Sequence, residues 1–268
     1  MLLAIDVGNS HTVLGLLDGP GSHPDGQVSV VEHWRVATDA RRTADELAVL
    51  VQGLLAQRQS TAAPAPVTGI AVCSTVPAVL HELRDMVARF FADEPSVIVE
   101  PGVRTGVPVL MDNPREVGTD RIVNALAAVH LHGGPAIVVD FGTATTFDVI
   151  SGRGEYVGGA IAPGIGISLE ALGDRGAQLR KVELLRPRSV IAKNTIEALQ
   201  SGALYGFTGQ VDGIVTRMVS EQGLRPADVT VIATGGLAAL VLEESRTIDH
   251  HEPWLTLIGL CLVFERNQ

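Results

Sequence analysis

Apolar and polar positions trace the same figure twice along the chain. Near the start, Leu3-Ala4-Ile5 enters a polar stretch, D-V-G-N-S-H-T from Asp6, and leaves it through Val13-Leu14-Gly15-Leu16-Leu17. In the second half an apolar run from Ala136 enters D-F-G-T-A-T-T from Asp140 and leaves through another, from Phe147 to Ile150. Short apolar runs bounded by turn residues read as strands, so each figure predicts a hairpin. Asp6 matches Asp140, Gly8 matches Gly142 and Thr12 matches Thr146, each pair lying half of the 268-residue chain apart. A lone Asp-Gly turn is ordinary hairpin chemistry. Its recurrence at matching offsets, with Thr at the far end, predicts a duplicated fold that holds one polyphosphate between its halves.

The remaining pattern fills in around these hairpins. Third strands at 28–36 and 156–161 extend each into a meander. A helix opens at Thr43-Ala44-Asp45-Glu46 and runs to about Gln57, with Leu47, Leu50, Val51 and Leu54 on one face. A buried strand follows at 67–73, then a helix capped by Ser74-Thr75-Val76-Pro77, then a strand at 96–99. The segments 18–27 and 59–66 read as loops. Prolines and glycines over 101–114 mark a crossing between two domains, placed at 1–115 and 116–268. Past E-V-G-T-D-R, Ile122, Val123, Leu126 and Val129 mark an amphipathic helix. G-G-A-I-A-P-G-I over 158–165 reads as a turn-rich loop leading to a helix at 168–172, and a charged stretch holds Arg175, Arg180 and Lys181. Asn194-Thr195 starts another helix, whose small residues Ser201, Gly202, Ala203 and Gly206 allow close approach of a domain or subunit. A strand at 229–233 ends in T-G-G, and 255–264 is apolar enough to dock as a terminal element.

Composition narrows the function classes. With 46% apolar residues the chain has material for two cores. Its net charge of −10 argues against a general nucleic-acid binder, so an anionic ligand must be held locally by backbone N–H groups, cations and a few basic side chains. Cys73 and Cys261 form no C-x-x-C pair, which fits a reducing cytoplasm. The N-terminal run lacks a basic flank and is interrupted by Asp6, unlike a signal peptide, and no apolar run is long enough to span a membrane.

The polar turns suit phosphate: glycine lets the backbone approach the oxygens, N–H groups and hydroxyls donate, and a carboxylate holds a hydrated cation. Neither a P-loop nor a Rossmann fingerprint is present, and D-F-G lacks the glycine loop, the V-A-I-K strand and the H-R-D loop of protein kinases. Asp120 has two readings. Beside Thr119 it suits a helix cap. At a domain junction beside Arg121 it suits an acceptor that orients a hydroxyl attacking a phosphoryl group, a role for which an ordinary carboxylate suffices. Arg121 could pair with a substrate carboxylate or with Asp120, and Thr195 reads first as a cap. His11 sits within the first turn as a polar rim residue. His130, His132, His250 and His251 lack the further ligands of a zinc site.

Taken together, D-V-G-N-S at Asp6, D-N-P-R-E-V-G-T-D-R at Asp112, D-F-G-T-A-T-T at Asp140, G-G-A-I-A-P-G at Gly158, N-T-I-E-A-L-Q-S-G at Asn194 and A-T-G-G at Ala233 resemble the type III pantothenate kinases. These bacterial enzymes phosphorylate pantothenate at the start of coenzyme A synthesis, and the likeness runs over essentially the whole length. The resemblance implies an α/β fold of two duplicated ribonuclease-H-like domains of the actin-like ATPase superfamily, with ATP in the cleft between them. It implies that Asp6, Val7, Gly8, Asn9, Ser10, His11, Thr12 and Val13 form the first phosphate motif, with Asp6 near magnesium. Thr143 and Thr145 belong to the second motif, and Thr234, Gly235 and Gly236 lie by adenosine. The resemblance implies further that Gly118, Thr119, Asp120 and Arg121 contact pantothenate, Asp120 as proton acceptor, that Thr195 contacts it in a pocket at a homodimer interface, and that Asp140 binds a potassium or ammonium ion. Many members carry Tyr where this chain has Met111, which implies a more apolar pocket. The resemblance thus implies an ATP-dependent cytoplasmic pantothenate kinase, with no membrane or nucleic-acid partner. The alternatives are a kinase of the same fold for another small hydroxyl compound, or an idle nucleotide-binding regulator, which needs both phosphate turns but no positioned Asp120.

Overall fold

The structure, a computed structural model, describes residues 1–22, 26–59, 66–175 and 182–268. Strand β1 (Leu2–Val7) turns back as the antiparallel β2 (His11–Asp18), and β3 (Ser29–Ala37) completes a meander. Helix α1 (Ala44–Gln59) leads to β4 (Gly69–Ser74), parallel to β1, and α2 (Pro77–Phe90) leads to β5 (Ser96–Ile98), parallel to β4. Beyond α3 (Thr119–His132) the plan recurs. Strands β6 (Ala136–Phe141), β7 (Ala144–Ile150) and β8 (Tyr156–Pro163) form a second meander. After α4 (Ile165–Arg175) and α5 (Thr195–Glu221), β9 (Thr230–Thr234) runs parallel to β6. Helix α6 (Ala238–Leu242) then leads to β10 (His250–His251), parallel to β9, and α7 (Leu255–Glu265) follows. The sheet orders, β3-β2-β1-β4-β5 and β8-β7-β6-β9-β10, are one topology used twice: the duplication expected from the two hairpins, in the ribonuclease-H-like form implied by the family resemblance.

The chain forms two compact units. The first comprises Met1–Val107, Asn113–Ala127 and Leu255–Gln268, and the second Pro108–Asp112 and Ala128–Trp254. In the first, strand periodicity divides the sheet into two faces. Leu3, Ile5 and Val7 pack with Leu14, Ile70 and Val72 against Leu47 and Val51 of α1 and Val79, Leu83 and Met86 of α2. The alternate residues face α7. Gly15 leaves room for Leu257 and Gly69 for the Phe264 ring, where a methyl group would overlap either side chain. Helix α7 is apolar all round because it is enclosed: Gly259 lies against the Val123 carbonyl of α3, and Thr256 Oγ1 donates to Asn124 Oδ1 at 2.8 Å. Its buried Leu255, Leu257, Leu260 and Leu262 each contribute roughly 1.5–3 kcal/mol, ample to hold the segment in place.

In the second unit Ile137, Val139, Phe141, Phe147 and Val149 meet Val211, Val215 and Val219, a stripe at four-residue spacing on α5. Asn194 caps α5 by accepting from Glu197 N–H at 2.9 Å, so the cap is Asn194 and Thr195 is the first helical residue. The third strand expected at 156–161 is β8, and it runs on to Pro163, so the G-G-A-I-A-P stretch also read as the start of a loop is strand throughout. Its Gly158 takes φ +139°, and the pairing with β7 shifts register between Val149 and Ile150, so the glycines serve a bulged strand. Helix α4 begins at Ile165, three residues ahead of the helix expected there. Two elements escaped the sequence pattern, α6 and β10, because five and two residues are too short to show a period. Most of the loop read at 59–66, and Arg180 and Lys181 of the charged stretch, lie outside the described residues.

Candidate active site

Strands β1 and β6 are buried at every position but the fifth, and the fifth is Asp6 in one and Asp140 in the other. Each carboxylate thus sits at the end of a central strand, next to a turn, on the face turned away from its unit's apolar core. The turns differ by one residue. Val7 pairs with Thr12, whereas Phe141 pairs with Thr145, so the structural partner of Thr12 is Thr145 and not Thr146. Equal offsets in sequence hid this because the second turn is one residue shorter. Thr146 instead braces a buried acid, its Oγ1 donating to Asp148 Oδ2 at 3.0 Å while the buried Tyr156 hydroxyl donates to Asp148 Oδ1 at 2.8 Å.

The first turn is braced from both sides. Gly8 N–H donates to the His11 carbonyl at 3.0 Å, Thr38 N–H to the Ser10 carbonyl at 3.1 Å and Thr38 Oγ1 to the Gly8 carbonyl at 2.7 Å. Thr12 Oγ1 lies 2.9 Å from Thr38 Oγ1. On the β4 side, Thr75 N–H donates to the Val7 carbonyl at 3.0 Å, and the Cys73 thiol donates to Asp6 Oδ1 at 3.2 Å. Arg35 Nη2 meets His11 Nδ1 at 3.2 Å, and burial together with the Arg35 charge lowers the His11 pKa, which favours a neutral ring. Asn9, Ser10 and His11 are exposed, so the tip of the turn offers polar groups to solvent while its base is fixed.

Asp120 lies within the first turn of α3. Arg121 and Ile122 N–H both donate to the Gly118 carbonyl, at 3.1 and 3.3 Å, so the helix starts ahead of Asp120 rather than on it. Its carboxylate folds back over Gly118, where a β-carbon would stand 2.5 Å from Asp120 Oδ1. Burial, and then the charge of Asp120, raise the pKa of Asp6 from 3.8 to about 7, against a smaller lowering by the Cys73 thiol. Burial, Asp6 and Asp120 push the Cys73 thiol well above its ordinary range, so it remains a donor. Asp6, Cys73 and Asp120 are therefore one electrostatic cluster inside one compact unit. Thr119 Oγ1, next to it, is buried and finds no hydrogen-bond partner among the described residues. Gly118 and Arg121 flank the cluster, both half-buried.

In the second unit, Gly235 takes φ +90° at the end of β9, and a side chain there would overlap Asp140 Oδ1 and stand 2.7 Å from Phe141 N. The T-G-G turn and Asp140 are thereby brought together, with Thr234 paired to Asp140 in the sheet. Gly142 N–H donates to the Ala144 carbonyl at 3.0 Å and Gly164 N–H to the Thr143 carbonyl at 3.1 Å, which shapes the second turn. Thr145 is fully buried, and its Oγ1 has no partner among the described residues. Thr195 is exposed at the start of α5. Among the described residues no group of three His, Cys, Asp or Glu is placed to hold a metal ion on its own. His132 stacks on His250, ring centroids 4.3 Å apart, and bonds Glu252 at 3.0 Å.

Sequence reasoning missed Cys73, Thr38 and Thr75. Each acts on the first turn through strand pairing across dozens of residues, which has no local signature.

The family model described as type III pantothenate kinase matches residues 2–217. A type III pantothenate kinase of Streptomyces avermitilis is 67% identical over 269 residues, covering 100% of this chain and 98% of its own. Among solved structures, the ADPNP-bound activator of 2-hydroxyisocaproyl-CoA dehydratase from Clostridium difficile aligns with TM-score 0.54 at 10% identity, over 99% of this chain and 95% of that one. The inorganic polyphosphate/ATP-glucomannokinase of an Arthrobacter strain aligns with TM-score 0.52 at 14% identity, over 100% and 99%. At these identities the two structures bear on the fold alone, which they share over nearly the whole of this chain. The chain belongs to the type III pantothenate kinase family.

Proposed function

We propose that this chain transfers the γ-phosphoryl group of ATP to the primary hydroxyl of pantothenate, giving 4′-phosphopantothenate in the first step of coenzyme A synthesis, with Asp120 as the acceptor of the hydroxyl proton. The observation that carries the assignment of Asp120 is its coupling to Asp6. A base for the attacking hydroxyl belongs beside the phosphate-binding turn, and the charge of Asp120 acts directly on the carboxylate of that turn. In a loose phosphoryl-transfer transition state the attacking oxygen gathers little charge until late, so a carboxylate that orients the hydroxyl and takes its proton is sufficient.

The other roles follow the chemistry of each group. The turn from Asp6 to Val13 presents N–H groups and hydroxyls to phosphate, and Thr143 and Thr145 do so from the second turn. Thr119 Oγ1 and Thr145 Oγ1 are buried hydroxyls that a bound ligand would satisfy. Thr234, Gly235 and Gly236 would line the adenosine, the glycines allowing close approach. Asp6, Asn9 and Ser10 supply oxygen donors of the kind magnesium takes, and one carboxylate plus substrate phosphates is a common protein share of such a site. Magnesium, when bound, neutralises phosphate charge. Asp140, with the Gly235 backbone packed on it, is assigned the potassium or ammonium ion. Gly118, Arg121 and Thr195 complete the pantothenate contacts, Arg121 by pairing with its carboxylate.

We assign a homodimer on two features of the second unit. Val190 and Ile191 are 62% and 83% exposed, with Leu185 and Ile196 also exposed beside them. Gly202, Gly206 and Gly209 on α5 have nothing within 4 Å of where a side chain would project, an open stripe that admits close contact by another helix. Among the described residues no helix is long and apolar enough to cross a membrane, and we assign the protein to the cytoplasm, where ATP and pantothenate meet.

A coupled ADP-release assay with pantothenate against a panel of small alcohols tests the reaction. Release that depends on pantothenate is expected, and release equal with and without it refutes the assignment. Asp120→Asn should retain ATP binding and lose about 10² to 10⁴ in kcat; turnover near wild type removes Asp120 from its role.

A further inference from the structure

We propose that Cys73 is a positioning residue for the first phosphate turn: its thiol fixes the Asp6 carboxylate through Oδ1 and leaves Oδ2 to ligate the magnesium of the nucleotide. The inference rests on the assignment of Asp6 to magnesium made above.

Asp6 and Cys73 are register partners on the parallel strands β1 and β4. Ile70 and Val72 enter the apolar core with Leu3, Ile5 and Val7, so by strand alternation Cys73 and Asp6 share the opposite face. Cys73 has no exposed surface, and its Sγ lies 3.2 Å from Asp6 Oδ1, within hydrogen-bond range for sulfur. Thr38 and Thr75 donate to the backbone carbonyls of Val7, Gly8 and Ser10 and hold the main chain, and Thr38 Oγ1 also meets Thr12 Oγ1. Cys73 instead holds the side chain that the turn presents.

A thiol suits the position for two reasons. It is a weak donor, so it orients a carboxylate while drawing little charge from the oxygen that must bind a cation. It is also compact and apolar enough to lie buried beside strands without a second partner. Partners that orient a metal ligand in this way typically alter affinity by 10- to 100-fold when removed, and a thiol donor belongs at the lower end of that range.

The test compares wild type with Cys73→Ala and Cys73→Ser, using binding of Mn²⁺ with a non-hydrolysable ATP analogue, followed by the electron paramagnetic resonance signal of free Mn²⁺. Circular dichroism melting reports the fold of each variant, and Cys73→Val, which fills the space and donates nothing, replaces the alanine variant should that one fail to fold. The expected result is Mn²⁺–nucleotide binding weakened about tenfold in Cys73→Ala, with Cys73→Ser returning to within about threefold of wild type. The metal concentration for half-maximal activity should rise in parallel while kcat at saturating metal changes little. Wild-type binding in Cys73→Ala overturns the proposal. So does an equal loss in the serine and alanine variants, because packing and not the hydrogen bond would then be the cause. A wild-type protein that binds no Mn²⁺–nucleotide at all refutes the earlier assignment of Asp6, and this inference with it, an outcome distinct from the other two.

Discussion

Removing the charge of Asp6 should change how the ligand-free protein responds to pH. Asp6 ionises at about 7 in the folded chain against 3.8 for an ordinary aspartate, because burial and the neighbouring Asp120 disfavour its charge. Between those values the unfolded chain has released this proton and the folded chain has kept it. Unfolding therefore releases a proton, and stability falls as pH rises through that window. Between pH 5 and pH 8 the loss attributable to Asp6 is about 3 kcal/mol, and over the whole window it approaches ~4 kcal/mol. Asp6→Asn keeps the shape and the thiol contact but cannot ionise, so it should lack this component. Its stability should exceed that of wild type at pH 8 by more than at pH 5. The assay is urea unfolding of both proteins, without nucleotide or divalent metal, at several pH values. The wild-type curve contains other titrations, such as the lowered His11, which acts with the opposite sign, but these cancel in the comparison. Parallel stability–pH curves for the two proteins would refute the account of Asp6 as a buried, charge-coupled acid. Asp120→Asn should flatten the wild-type curve in part, since Asp120 is the second cause of the shift.

Gly118→Ala places a methyl 2.5 Å from Asp120 Oδ1 and should displace that carboxylate, cutting kcat at least tenfold while the melting temperature changes little; unchanged kcat would show that the folded-back Asp120 is not the reactive form. Gly235→Ala meets both φ +90° and the Asp140 carboxylate, so it should cost well over 1 kcal/mol in urea unfolding and weaken any activation by potassium. A loss below 0.5 kcal/mol, roughly the cost of an ordinary surface change, would contradict that geometry. Asn194→Ala removes the cap of α5 and should cost about 1 kcal/mol in the same measurement.

The duplication was legible because it is written in apolar runs, and the strands grew from those runs almost to the residue. The candidate site was legible where it is local: Asp6, Asp120 and Asp140 all stand in motifs that can be picked out by eye. What escaped depends on pairing. Thr12 corresponds to Thr145 only when the two hairpins are compared by register, and a count from the aspartates gives Thr146. Cys73 meets Asp6 across 67 residues of sequence. The terminal apolar segment announced that it would dock, but its seat depends on Gly15 of β2, Gly69 of β4 and its own Gly259 against the Val123 carbonyl, glycines in three separate elements.

That hold also sets an order of assembly. The second unit is made almost wholly of the continuous stretch Ala128–Trp254, so its strands and helices can pair as soon as they are synthesised. The first unit cannot finish in that way. One face of its sheet waits for Leu257, Phe264 and their neighbours, which leave the ribosome after both five-stranded sheets have been made. Until then Gly15 of β2 and Gly69 of β4 lack the Leu257 and Phe264 side chains that pack on them, and the unit that began first is the last to close.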